Sequence, residues 1–320
     1  MARIIIAPGQ GAQTVPMAKA WCDASPGALA VFAQADALLA GKLPGEVSLS
    51  ELCFKGPAET LNRTDVSQPA IYTASVACWR GLLAAWGCGQ NAVTEAKVLA
   101  TAGLSLGEYT ALHIAGVFSF ADGLELVTLR GREMQAAATA VPSGMVALIG
   151  ADEAKAAALC DEARQGEILV CANFNAPGQI VISGSKAACE RAVTLAGNYG
   201  MKAQPLTVAG AFHSPIMQPA AEKLAAKLAA TTMMAPQCTV YSNVTAQPHD
   251  SGAFCADSIR ELLVKQLTSP VRWAESCAAL ASNSQYVGAT FHELAPGKSL
   301  TGLFKRINRD IAVTNHDQPG

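Results

Sequence analysis

The pentapeptide Gly103-Leu104-Ser105-Leu106-Gly107 constrains this chain more than any other stretch. It joins an apolar run at 98–102 directly to an amphipathic segment at 106–116. Strand, sharp turn and helix follow in order, and a serine forced into such a turn projects its Oγ clear of the backbone. Glycines two residues to either side let the neighbouring chain pass close by. Ser105 is therefore the nucleophile candidate, an inert glycine-serine turn being the plainer alternative. The rest of the chain has to supply a base, an oxyanion site and a substrate.

Composition removes several classes of function. With 320 residues, 51% of them apolar and 15% charged, the chain can bury a sizeable core. A net charge of −2 without a lysine or arginine run argues against nucleic acid as a partner. The ten cysteines form no C-x-x-C pair, which suits free thiols in a reducing compartment; the expected location is the cytoplasm, with no metal site. The run at 4–7 stops at Pro8-Gly9, too short for a signal peptide, and no stretch approaches a membrane span. No membrane partner is expected.

The segment 3–7 reads as a buried strand running into Pro8-Gly9-Gln10-Gly11. Ligands of open α/β sheets bind beyond the carboxyl ends of strands, so Gln10 is expected at the same rim as Ser105, as an oxyanion donor or in an ordinary turn. Helices are predicted over 28–40, 49–54, 68–86 and 120–140. In the last of these, Arg130 falls inside the apolar stripe of Leu124, Val127, Gly131 and Met134. A buried guanidinium cannot shed its charge and needs an anion, from the protein or from a substrate.

At Pro142-Ser143-Gly144 the period changes. Strand 145–149, helix 153–163, strands 168–173 and 180–183, helix 187–196 and strand 203–208 make a β-α-β-β-α-β unit. Helix 215–231, strand 239–242, helices 259–267 and 271–281, strand 289–294 and helix 299–307 then resume the larger pattern, and the tail from 315 reads as frayed. The fold class expected is α/β: an α/β-hydrolase-like core with a mostly parallel sheet (1–142 and 207–320) and an inserted ferredoxin-like subdomain (143–206).

Five histidines could serve Ser105 as base. His113 rises two turns along the same helix and cannot reach Oγ. His249 and His316 lie in polar segments beside Asp250 and Asp317 and are expected in solvent. That leaves His213, in a loop at the end of the inserted unit, and His292, at a strand end, with Glu293 the one acid adjacent to either. Loops beside a domain junction line clefts, which favours His213 without removing His292.

Seven motifs, in order, carry a resemblance. They are 7–13 (APGQGAQ), 103–109 (GLSLGEY), 129–134 (LRGREM), 173–179 (NFNAPGQ), 211–215 (AFHSP), Gln266-Leu267 with Pro270-Val271, and 297–300 (GKSL). Over nearly its whole length the chain resembles the malonyl-CoA:acyl carrier protein transacylases of fatty acid synthesis, which recur as acyltransferase domains of polyketide synthases. The resemblance implies that Ser105 is acylated, that His213 is its base, oriented by the backbone carbonyl of Gln266, and that His292 has a packing or surface role. It implies an oxyanion hole from the N–H groups of Gln10 and Leu106, a malonyl carboxylate on Arg130, and Phe212 as the residue associated with malonyl selection. Malonyl-CoA and free CoA are then substrate and product, acyl carrier protein is the partner, and no cofactor or metal is used. Because the carrier is acidic in this family, Lys298, Lys305, Arg306 and Arg309 are candidates for docking it, a solvated helix face being the alternative. One position departs from the pattern: Leu104 stands where the family commonly has histidine. A serine acyl hydrolase and a non-catalytic carrier-binding protein are the rival classes, and a polyketide-serving acyltransferase is the rival within the class.

Overall fold

The computed structural model describes residues 1–89, 92–249 and 254–320. Its centre is the strand Arg3–Ala7 (β1), whose Ile4, Ile5 and Ile6 are buried on both faces. A strand apolar on both sides belongs in the middle of a parallel sheet covered twice. Val98–Gly103 (β2) pairs along one edge of it. The rest of the chain contributes Ser143–Ala151 (β3), Leu169–Ala176 (β4), Gly178–Ser185 (β5), Lys202–Pro205 (β6), Thr239–Val240 (β7), Thr290–Leu294 (β8) and Val313–His316 (β9). The main sheet has the order β7-β2-β1-β8-β9, every pairing parallel. Ile5 faces a core built with the helices Pro26–Leu39, Thr64–Ala85 and Phe120–Ala140, whereas Ile4 and Ile6 face Trp273, Phe291 and Phe304. The register sets Ala7 beside Gly103, so the two central strands end together at one rim.

The second sheet is antiparallel, in the order β4-β5-β3-β6, with helices Glu153–Arg164 and Lys186–Leu195 in the connections. That is ferredoxin-like topology. Period-2 patterning sorts its faces: Val146, Leu148, Ile180 and Ile182 pack on the two helices, while Met145, Ala147 and Val181 join the larger core. The edge strand β4 is also tied to the larger body, because Phe174 N–H donates to Val271 O at 2.9 Å and Val271 N–H to Ala172 O at 2.8 Å.

Several boundaries differ from expectation by a few residues, and two of the differences change a contact. The helix predicted from 68 starts at Thr64, whose N–H is capped from a distant helix by Gln135 Oε1 at 3.1 Å. The tail expected to fray instead forms β9 against β8. His316 O accepts from Trp21 Nε1 (2.8 Å), and Asn315 Nδ2 and Asp317 Oδ1 bond the backbone of Gly297, each at 2.6 Å. His316 is accordingly not in solvent: it stacks on His292, with Nδ1 of His292 2.8 Å from Nε2 of His316. Among the described residues no helix is long and apolar enough to cross a membrane.

Burial pushes His113, His213 and His292 down to about 4 and lowers His316 as well. Unfolded imidazoles titrate near about 6.5, so below that pH the unfolded chain binds more protons than the folded one. Stability present above about pH 6.5 is therefore lost as the pH falls toward about 4. Melting temperatures should hold between about pH 8 and 7 and drop between about 6.5 and 5; a flat profile down to about pH 5 would contradict this.

Candidate active site

The site is assembled at the rim where β1 and β2 end. A Cβ on Gly103 would lie 1.9 Å from Gly107 C, and one on Gly107 would lie 2.2 Å from Ala7 O. Only glycine permits either approach. Between them Ser105 is held at φ +51, a left-handed conformation that costs a non-glycine residue about 1 kcal/mol or more. Asn243, from the loop after β7, clamps the turn: its Oδ1 accepts from Ser105 N–H at 2.6 Å and its Nδ2 donates to Gly103 O at 2.7 Å.

Ser105 Oγ lies 2.8 Å from Nε2 of His213, which is buried and itself at φ +55. Nδ1 of His213 lies 2.8 Å from the backbone oxygen of Gln266. A carbonyl can only accept, so Nδ1 carries the proton and Nε2 is left bare to accept from the serine hydroxyl. Burial, and then the charge of Arg130, push His213 down to about 4, against the opposing pull of its hydrogen bond to Gln266. The imidazole is therefore neutral near pH 7. His292, the other histidine favoured in sequence, is in β8 and bonds Thr290 and His316. Glu293 beside it orients neither base, because its oxygens cap the helix Ser299–Ile307 through Leu300 N–H and Thr301 N–H, both at 2.8 Å.

Arg130 is 1% exposed and its Nη2 lies 3.1 Å from Ser105 Oγ. Its other partners are Gln266 Oε1 (Nη2, 2.8 Å) and Gln68 Oε1 (Nη1, 2.7 Å), with Nε unbonded and the guanidinium 5.5 Å from the Tyr109 ring centroid. No carboxylate among the described residues pairs with it. Burial lowers its pKa, with Tyr109 and Glu108 pulling the other way, and an arginine stays charged throughout. A fixed cation whose partners among the described residues are all neutral, open to a cavity, can receive an anion.

That cavity, about 670 Å³, is lined by Gln10, Ser105, Arg130, Met134, Phe212 and His213 among others, with Leu104 also in its wall. Leu106 is fully buried and opens the helix Gly107–Ile114. The antiparallel sheet closes one side through Asn173, Asn175 and Val181. Lys298, Lys305, Arg306 and Arg309 are exposed, but Arg306 is engaged: it donates to Gln179 Oε1 at 2.6 Å and to Pro177 O at 3.0 Å, tying the helix Ser299–Ile307 to the turn between β4 and β5. No group of three or more His, Cys, Asp or Glu among the described residues could hold a metal.

Several residues at the site had no assigned part in the sequence reading: Gln68, Glu108, Asn243, His249 and the side chain of Gln266. His249, expected in solvent, is buried with Nε2 2.6 Å from Glu108 Oε1; its sequence neighbour Asp250 lies outside the described residues. The one available signal was Glu108 itself, a carboxylate beside the apolar Leu106, Ala111 and Leu112 of an amphipathic stretch.

A family model described as an acyl transferase domain matches residues 4–308. The malonyl CoA-acyl carrier protein transacylase of Escherichia coli (strain K12) is 41% identical over 313 residues, covering 98% of this chain and 94% of the relative. That of Bacillus subtilis (strain 168) is 40% identical, covering 98% and 92%. The crystal structure of the transacylase from Xanthomonas oryzae pv. oryzae superposes with a TM-score of 0.87 at 41% identity, covering 100% of this chain and 96% of that one. A malonyl-transacylase in complex with its type II PKS acyl-carrier protein gives 0.87 at 37% identity, covering 100% and 97%.

Proposed function

The chain belongs to the malonyl-CoA:acyl carrier protein transacylases of the acyl transferase family, and on that premise we propose which of its groups carry each step. It is an acyltransferase that moves a malonyl group from malonyl-CoA to an acyl carrier protein. In our reading Ser105 Oγ attacks the thioester carbonyl while His213 Nε2 takes its proton. The N–H groups of Gln10 and Leu106 receive the oxyanion, each such donor contributing about 3 kcal/mol in the transition state. Collapse breaks the carbon–sulfur bond, the CoA thiolate takes the proton back from His213, and a malonyl ester remains on Ser105. In the second half the carrier's phosphopantetheine thiol gives its proton to His213 and attacks that ester, and the departing serine oxygen is reprotonated by His213.

The observation that carries this reading is the position of Arg130. Its buried guanidinium, with no carboxylate partner among the described residues, stands 3.1 Å from the nucleophile, where the free carboxylate of a malonyl group attached to Ser105 can reach it. A hydrolase has no use for such a cation. Phe212, in the cavity wall beside His213, supports a small malonyl group over bulkier ones. We treat 1–142 and 207–320 as the catalytic unit and 143–206 as the smaller unit closing the cavity. Lys298, Lys305 and Arg309 remain our docking candidates for the acidic carrier. None of these steps calls on a metal or redox cofactor, and ten free cysteines fit a cytoplasmic setting.

The pathway has two candidates, fatty acid and polyketide synthesis, the second having a relative in a malonyl-transacylase in complex with its type II PKS acyl-carrier protein. Incubation with labelled malonyl-CoA and purified carrier proteins of both kinds tests the reaction and separates the two. Label should pass to a carrier, with malonyl preferred over acetyl and methylmalonyl; accumulation of free malonate with the carrier unlabelled would make the chain a hydrolase.

A further inference from the structure

Behind the cavity lies a carboxylate that neither half-reaction uses. Glu108, fully buried on the helix that Ser105 precedes, does not line the cavity. Its Oε1 lies 2.6 Å from His249 Nε2, and its Oε2 accepts from Gln266 Nε2 at 2.5 Å and from Asn243 N–H at 3.3 Å. The carboxylate can only accept, so His249 donates from Nε2, and its Nδ1 has no partner among the described residues. Burying a charge this deeply is costly unless its lone pairs are well hydrogen-bonded.

What it serves is visible in its three donors. Asn243 is the residue whose side chain clamps Ser105 N–H and Gly103 O. Gln266 touches the site four times: its backbone oxygen faces His213 Nδ1, its Nε2 donates to Ser105 O at 3.0 Å as well as to Glu108, and its Oε1 accepts from Arg130 Nη2. The amide thus stands between a buried anion and a buried cation, with N–H toward the first and C=O toward the second. Turned over, it would set its donor against the guanidinium and its oxygen against the carboxylate. Glu108, together with Ser105 O, therefore sets which way Gln266 points, and Gln266, together with Gln68, sets where Arg130 is held relative to Ser105 Oγ.

We propose that Glu108, oriented by His249, is a positioning residue for acyl selection, acting through the Gln266 side chain to hold Arg130 and through Asn243 to hold the Ser105 turn. The proposal rests on the reading of Ser105 and Arg130 given above. A glutamine at 108 keeps the shape but replaces the anion with one acceptor oxygen and an NH₂ group where three donors converge, so only Ser105 O and Arg130 are left to hold the orientation of the Gln266 amide.

The test is kcat/KM for malonyl-CoA and acetyl-CoA in the wild type, Glu108→Gln, Gln266→Leu, which keeps the backbone carbonyl for His213, and the double variant. A displacement of this kind costs about 10²-fold in malonyl transfer. Glu108→Gln should lower the malonyl-to-acetyl ratio by about 10-fold or more, and the double variant should have a ratio no lower than Gln266→Leu alone, because both changes cut one linkage. A purely structural role would lower both substrates together and leave the ratio intact; that result, or multiplicative losses in the double variant, overturns the proposal. Should Glu108→Gln fail to fold, His249→Leu removes one donor and should shift the ratio in the same direction, an unchanged ratio again overturning it. Labelling of Ser105 in the wild type separates the two levels. Without it the underlying reading falls and takes this proposal along, whereas labelling together with an unaltered ratio in Glu108→Gln defeats this proposal alone.

Discussion

Replacing Ser105 with alanine is expected to reduce malonyl transfer to carrier protein by about 10⁵- to 10⁶-fold, the scale on which serine-nucleophile enzymes lose turnover when the nucleophile is removed. His213→Ala should fall by a similar factor, and the double variant should be little worse than either single one, because Oγ and Nε2, 2.8 Å apart, act as one unit. The fold should survive. The left-handed backbone at Ser105 even makes Ser105→Gly more stable than Ser105→Ala, by about 1 kcal/mol, since glycine adopts that conformation without strain. Rates measured with purified, folded variants check this. Retention of more than about a hundredth of the wild-type rate in Ser105→Ala would mean that the transfer does not pass through this residue.

Arg130→Ala is expected to change the substrate rather than abolish the chemistry. A charge-assisted bidentate pair contributes about 1.5 to 3 kcal/mol, so malonyl transfer should fall by about 10- to 100-fold or more on losing it. Acetyl transfer should hold or rise, because acetyl has no carboxylate for the cation to meet. Arg130 also supplies part of the charge that keeps His213 neutral, so its removal moves that imidazole's pKa up toward the ordinary value. The comparison is the ratio of kcat/KM for the two acyl-CoAs in each protein. Equal losses on both would show that Arg130 supports the structure of the site without reading the carboxylate.

Much of this arrangement could be read from residue order, for identifiable reasons. The run of three isoleucines, the glycine spacing around Ser105 and the change of period near residue 143 are local signals, and each matches an element of the structure: β1, the strained turn and the antiparallel sheet. Arg130 was also legible, because a cation inside an apolar helical stripe is anomalous wherever the helix is placed. The polar cluster behind the site was not. Glu108 meets Asn243, His249 and Gln266 only across more than 130 positions of chain, and none of the four breaks a local pattern strongly enough to announce its partner. His249 reads as a surface residue in its own segment and is buried only because Glu108 waits there. The strand β9 was missed for the same reason: a polar tail is held by Trp21, near the other end of the chain, and by His292 and Gly297, in and just after β8. Residue order displays covalent neighbours and period, whereas these contacts depend on how elements pack.

The central claim is that an acyl group bearing a carboxylate rests covalently on Ser105 between the two half-reactions. Mass spectrometry of the intact protein, and of its peptides, after brief mixing with malonyl-CoA in the absence of carrier tests it most directly. One malonyl group should be found, on Ser105, and it should disappear when carrier protein is added. Active enzyme with Ser105 unmodified, or a malonyl adduct that carrier protein does not discharge, would contradict the account.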